Sequence, residues 1–284
     1  MPKSRARALA GIAGFAAALV AAIYTLNEST LRFHFWKVVA GKAHGGKCVD
    51  INDVRIYYET YGAGMPVLVL HGGLGSIEGM GQQIKALANS HFVVAPDSRG
   101  HGRSTDSNAP FSYSLMSSDM LKLLDHLQID QVDVVGWSDG GIVGLDLAIH
   151  HPKRIRRLVA ISANYDVNGL LESPTSEGEI PHPPLRYRIF AQDRAHWPAL
   201  YRKVVTMWQT QPHYTLNDLE NIKVPTLIMA GELDNIKREH INQLSKAIPN
   251  SEEVLIAGAT HWLPVEKPDI VNSHILSFLD GESS

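Results

Sequence analysis

Around Ser138 the chain changes its hydrophobic period within a few residues: DVVGW closes a buried run, and GGIVGLDLAIH continues as a helix. A continuous apolar run of this kind belongs to a strand covered on both faces. The same form recurs in MPVLVLHGG, HFVVAPDSRGHGRS, RIRRLVAISAN, VPTLIMAGELDN and EEVLIAGATHW, and helical patterns lie between over 77–88, 115–127, 140–150, 238–247 and 268–279. VRIYYETYG reads as an early antiparallel strand. This alternation predicts an α/β domain with a mainly parallel sheet and helices on both faces. Ligands bind beyond the carboxyl ends of such strands. The residues in that position are His71-Gly72-Gly73, Asp97, Ser138, Asn164, Asp234 and His261.

Gly136 and Gly140 allow a sharp strand-to-helix turn that lifts Ser138 to its tip, the Gly-x-Ser-x-Gly arrangement of a nucleophile elbow. The helix that follows points backbone N–H groups at developing negative charge, so the Asp139 N–H is one expected oxyanion donor, and Gly73 is the second. A serine hydroxyl needs a base and a group to orient that base. Of the 14 histidines, His261 in GATHWLP is the best placed, just before the last helix. Asp234 in AGELDN is the expected acid, with Asp166 in reserve and Glu232 less well positioned. His71 and His101 read as structural loop residues, and His150 and His151 as residues of a helix C-terminus.

These motifs resemble those of the α/β-hydrolase-fold serine hydrolases from about Val54 to Leu279, through LHGG, PDSRGHGRS, GWSDGG, PTLIMAGELD and GATHWLPVEKPDIV. Within that fold the chain is similar to the biphenyl hydrolase-like (valacyclovir hydrolase) group, which shares Gly-Trp-Ser-Asp-Gly-Gly and His-Gly-x-Leu-Gly-Ser. The resemblance implies that Ser138 is the nucleophile and that the Asp139 carboxylate recognises the amino group of amino-acid esters. The hydrophobic N-terminus and the middle of the chain depart from that group. Cofactor-free cleavage of a small ester is the expected reaction. A lactonase, an amide or C–C bond hydrolase, a cofactor-free perhydrolase or haloperoxidase-like enzyme, and a non-catalytic binding protein are the alternatives on this fold.

The middle segment, about 164–223, breaks the pattern with ESPTSEGEIPHPP and an aromatic-rich helical stretch, as a cap inserted over the strand ends would. Tyr187, Phe190, Trp197, Tyr201, Met207 and Trp208 are expected to supply an apolar wall to the site. Tyr187, Trp197 and Trp208 are expected to touch substrate, whereas Trp137 and Trp262 are expected to pack beneath the site.

Length, charge and cysteine content narrow the remaining possibilities. A chain of 284 residues, 44% hydrophobic, suits one large domain. Its net charge of -3 offers nucleic acid little attraction, HGGLGS lacks the lysine of a P-loop, and no His/Cys spacing suits a metal. The lone Cys48 leaves the compartment open. Lys3, Arg5 and Arg7 precede an uncharged apolar run from Ala8 to about Leu26, so residues 1–27 are expected to be a signal peptide or a membrane anchor, with the body on the non-cytoplasmic side. Leu31, Phe33, Phe35, Trp36, Val38 and Val39 are expected at a membrane interface. Residues 28–47 then form a linker, and the domain proper spans 48–284 and folds without what precedes it.

Overall fold

The computed structural model describes residues 28–39, 43–172 and 179–281. Eight strands form one sheet: β1 (Ala43–Ile51), β2 (Val54–Tyr61), β3 (Met65–Leu70), β4 (His91–Pro96), β5 (Val132–Trp137), β6 (Ile155–Ile161), β7 (Thr226–Leu233) and β8 (Ser251–Thr260). Their order is β1-β2-β4-β3-β5-β6-β7-β8. The β1–β2 and β2–β4 pairs are antiparallel, and the pairs from β4–β3 across to β7–β8 are parallel. The apolar runs of the sequence are strands β3 to β8; β5 is buried along its whole length. Edge strand β8 is partly exposed and carries Glu252 and Glu253, charges that discourage further strand pairing.

Helices cover both faces. On one side lie α3 (Tyr113–His126), α4 (Asp139–His150) and α8 (Arg238–Ala247); on the other lie α1 (Glu28–Val39), α2 (Gly81–Leu87), the one-turn α9 (Leu263–Glu266) and α10 (Pro268–Asp280). Ser112 caps α3, its hydroxyl accepting the Leu115 N–H at 3.1 Å. The helix expected over 77–88 is split into a 3₁₀ turn, Ile77–Met80, followed by α2. Gly81 begins α2 where a side chain would strike the Phe33 ring, and the Ile77 N–H is drawn to Asp97 Oδ1 at 2.8 Å.

The expected linker 28–47 is instead helix α1 and the first part of β1, so the sheet begins at Ala43 rather than after Cys48. Phe33 and Trp36 face the protein rather than a membrane interface: Phe33 is buried, Trp36 packs beside it, and both ring centroids lie within 6.0 Å of that of Tyr61. Lys37 reaches the buried Glu59 carboxylate at 2.6 Å, which also accepts the Tyr57 and Tyr61 hydroxyls. His34 stacks on Phe190 of the cap with 4.7 Å between centroids. Phe35, Val38 and Val39 point outward. Among the described residues no helix is long and apolar enough to cross a membrane, and the expected export or anchor segment lies outside them.

The insertion between β6 and β7 holds α5 (Leu185–Phe190), α6 (Trp197–Thr210) and α7 (Leu216–Glu220). Its inner face, with Leu200, Val204 and Met207, joins the main core. Lys203 Nζ holds Asp106 at 2.7 Å, and the Gln192 N–H donates to Gly102 O at 3.1 Å, fastening the cap to the loop after β4. That loop is itself set by Arg99, which is wholly buried and makes a two-point contact with Asp119 at 2.7 and 2.9 Å.

Candidate active site

Ser138 sits between β5 and α4 with φ 55° and ψ -120°, a conformation costly for a residue with a side chain. Two close approaches impose it. A β-carbon on Gly136 would lie 2.1 Å from Gly140 O, and one on Gly140 would lie 2.4 Å from Leu70 O. Glycine at both positions lets strand and helix meet and leaves the serine hydroxyl clear of the backbone.

His261 Nε2 lies 3.0 Å from Ser138 Oγ, and His261 Nδ1 lies 2.9 Å from Asp234 Oδ1. Strands β5, β7 and β8 thus deliver three side chains, separated by up to 123 positions in the chain, to one hydrogen-bonded line. The remaining Asp234 oxygen accepts the Ser162 hydroxyl at 2.5 Å, and the Ile236 N–H donates to Oδ1 at 3.2 Å. Burial alone would raise the Asp234 carboxyl, but the bonds from His261, Ser162 and Ile236 outweigh it and hold the group below its ordinary range. Trp137 lies beneath, its indole N–H donating to His261 O at 2.9 Å.

Gly72 and Gly73 abut the elbow: a β-carbon on Gly72 would meet Ser138 Cβ at 3.1 Å, and one on Gly73 would meet Asp139 Oδ2 at 2.4 Å. Asp139 is the first residue of α4, where a backbone N–H has no partner within the helix. Its carboxylate is buried, and Oδ1 accepts the Trp208 indole N–H at 2.8 Å and the Tyr113 hydroxyl at 3.0 Å. Oδ2 is buried with no hydrogen-bond partner. Burial pushes this carboxyl up to about 6, against the pull of Trp208, Tyr113 and His261.

Ser138, Asp139, Asp234, His261, Gly73 and Trp208 line a cleft of about 750 Å³. Tyr187 and Trp197 do not, and their expected contact with substrate is corrected by the structure. Both are buried in the cap, 4.9 Å apart in a T-shaped pair, with the Trp197 indole donating to Pro181 O at 2.6 Å. Trp262 departs from expectation in the other direction, being 47% exposed on the cleft. Asp166, the reserve acid, is engaged with Asn168 and His213, and Glu232 with the Gly258 N–H. His71 and His101 accept the Ser98 and Leu74 N–H groups at 3.0 and 3.1 Å, and burial pushes them down to about 4 and 3, which suits neutral loop supports. Tyr113 and Ser162 were not among the expected site residues. Ser162 directly follows β6, a position that could have drawn notice, but nothing local marks Tyr113.

The sheet order, elbow and cap define the α/β-hydrolase fold. Residues 65–180 match the family described as alpha/beta hydrolase fold. The chain is 28% identical over 263 residues to a protein of Azorhizobium caulinodans provisionally named carbamate hydrolase RutD, covering 83% of this chain and 97% of the relative. Esterase YbfF of Escherichia coli is 27% identical over 239 residues, covering 76% and 93% respectively. Among solved structures, a membrane phospholipase A described as a bacterial virulence factor superposes with a TM-score of 0.73 at 18% identity, over 97% of this chain and 98% of that one.

Proposed function

We propose that this protein is a serine hydrolase that cleaves small carboxylic esters, α-amino-acid esters among them, through an acyl-enzyme on Ser138. The observation that carries the reading is the line Ser138–His261–Asp234, with separations of 3.0 and 2.9 Å. His261 takes the hydroxyl proton as Oγ attacks the carbonyl, and Asp234 orients the ring and stabilises its cation. The Gly73 and Asp139 N–H groups receive the oxyanion. His261 then protonates the leaving alcohol, and water releases the acyl group by the same steps in reverse. Similarity to an esterase over nearly that protein's whole length supports the reaction class. The unpartnered Asp139 Oδ2 supports an α-ammonium group as a bound partner, since a buried carboxylate oxygen gains most from a charged donor. The name carried by the Azorhizobium relative makes a carbamate the second substrate to assay.

Residues 1–27 are proposed to export the protein or hold it at a membrane, with the body on the non-cytoplasmic side; sequencing the N-terminus of mature protein distinguishes a cleaved signal from a retained anchor. The reaction is tested by assaying esters, carbamates and amides with the unmodified chain and with Ser138→Ala, His261→Ala and the double variant. Each single change is expected to remove nearly all ester turnover, and the double to be scarcely worse, because the groups act as a unit. Losses that multiply would break the assignment.

A further inference from the structure

The two ends of the cleft differ in chemistry. Toward Gly73 lie the buried Asp139 carboxylate and the Trp208 indole that donates to it. Toward His261 its rim is formed by Leu171, Leu233 and Trp262, which are 61%, 64% and 47% exposed. Leu171 and Trp262 arise on the loops after β6 and β8, and Leu233 is the last residue of β7. Three large apolar side chains exposed around one opening form a binding surface rather than scattered surface residues. Leu171 is fixed to the body, its N–H donating to Asn235 O at 2.8 Å, so the lip is built from both cap and domain.

We propose that this lip is the subsite for the leaving alcohol of the ester, and that the alcohol it takes is aliphatic or aromatic rather than a polyol. The inference rests on the serine-hydrolase reading and deepens it. In the tetrahedral intermediate the reacting carbon carries Ser138 Oγ, the oxyanion, the acyl chain and the alcohol oxygen. The oxyanion is directed to the Gly73 and Asp139 N–H groups. The alcohol oxygen must lie within reach of His261 Nε2, which sits 3.0 Å from Oγ, because that nitrogen supplies its proton. The Oγ–acyl bond forms, the acyl–alkoxy bond breaks, and the proton removed from Ser138 leaves on the alcohol. The alcohol's carbon chain therefore departs beside the imidazole. Trp262 follows His261 in the chain, and Leu233 precedes the Asp234 that holds it. The acyl portion is left at the end that contains Asp139.

The test keeps an acetyl group constant and varies the alcohol through ethyl, butyl and hexyl, with glyceryl acetate as the polyol. A lip that covers one side of the chain should raise kcat/KM about twofold per methylene, roughly half the free energy of full burial. Glyceryl acetate should fall at or below the ethyl ester. The double variant Leu171→Ser/Leu233→Ser should flatten the series, and Trp262→Ser should do so separately. Ile270→Ser, an exposed apolar position on α10 outside the cleft, should retain the slope. A flat series in the unmodified enzyme, or an unchanged slope in both lip variants, overturns the subsite while leaving the hydrolase reading intact. No turnover of any ester, with no phosphonate adduct on Ser138, removes both.

Discussion

The strained backbone at Ser138 and the buried carboxylate beside it are both costs met by the surrounding fold. A residue held at such angles costs on the order of 1–3 kcal/mol, and Asp139 adds negative charge next to a developing oxyanion. A cationic substrate group would offset the second cost. The ratio of kcat/KM for a valine ester to that for its N-acetyl counterpart is expected to be roughly ten- to hundredfold. It should collapse in Asp139→Ala. It should also decline as pH falls through about 6, where this carboxyl takes up its proton. Equal rates for the two substrates on the unmodified enzyme would leave a general esterase. Asp234→Asn should lower kcat by on the order of 10⁴ through the wrong histidine tautomer, whereas Asp166→Asn should change it little. Ser138, Asp234 and His261 were legible because each directly follows a strand whose apolar run is plain. Tyr113 and Trp208 reach Asp139 from a helix start and from the cap, and only tertiary packing brings them there. The cap aromatics Tyr187, Trp197 and Trp208 share one amphipathic pattern, which does not say which face meets ligand and which fills the cap.

At the scale of elements, the sheet and most helices could be read from period and punctuation, with α8 falling at 238–247 as expected. Helix α1 could not. Its apolar residues point both ways, Phe33 and Trp36 inward and Phe35, Val38 and Val39 outward, so its sequence lacks a clean amphipathic face. The buried role of α1 also changes where the chain can be shortened. A chain beginning at Lys47 loses Phe33, the Lys37–Glu59 pair and the start of β1, and is expected to be markedly less stable than one beginning at Glu28. Phe33→Ala in the full chain should cost about 3–5 kcal/mol in denaturant unfolding. A cost under 1 kcal/mol would mean that α1 is an ornament on the domain rather than part of it.

For the whole molecule, burial of ionisable groups links stability to pH with opposing signs. His71 and His101 remain neutral in the fold down to about 4 and 3, whereas in the unfolded chain they take up protons near 6.5. The unfolded state then binds more protons between those values, so their contribution is complete above about 6.5 and is lost as pH falls toward 4. Asp97 and Asp139 are both raised by burial, Asp97 also by the neighbouring Glu78 carboxylate, and they act oppositely, Asp139 from about pH 4 to 6. The two effects separate by substitution: His101→Gln should lose less thermal stability between pH 7 and pH 5 than the parent chain, even if it starts lower. An identical loss would place the acid sensitivity elsewhere.

Catalysis as proposed requires Ser138 to become acylated with His261 as its base. Reaction with a fluorophosphonate, followed by mass spectrometry of the proteolysed protein, reads this directly. One adduct, on the peptide containing Ser138, is the expected result, with labelling abolished in Ser138→Ala and slowed by orders of magnitude in His261→Ala. An unlabelled protein, an adduct on another serine, or full labelling without His261 would contradict it.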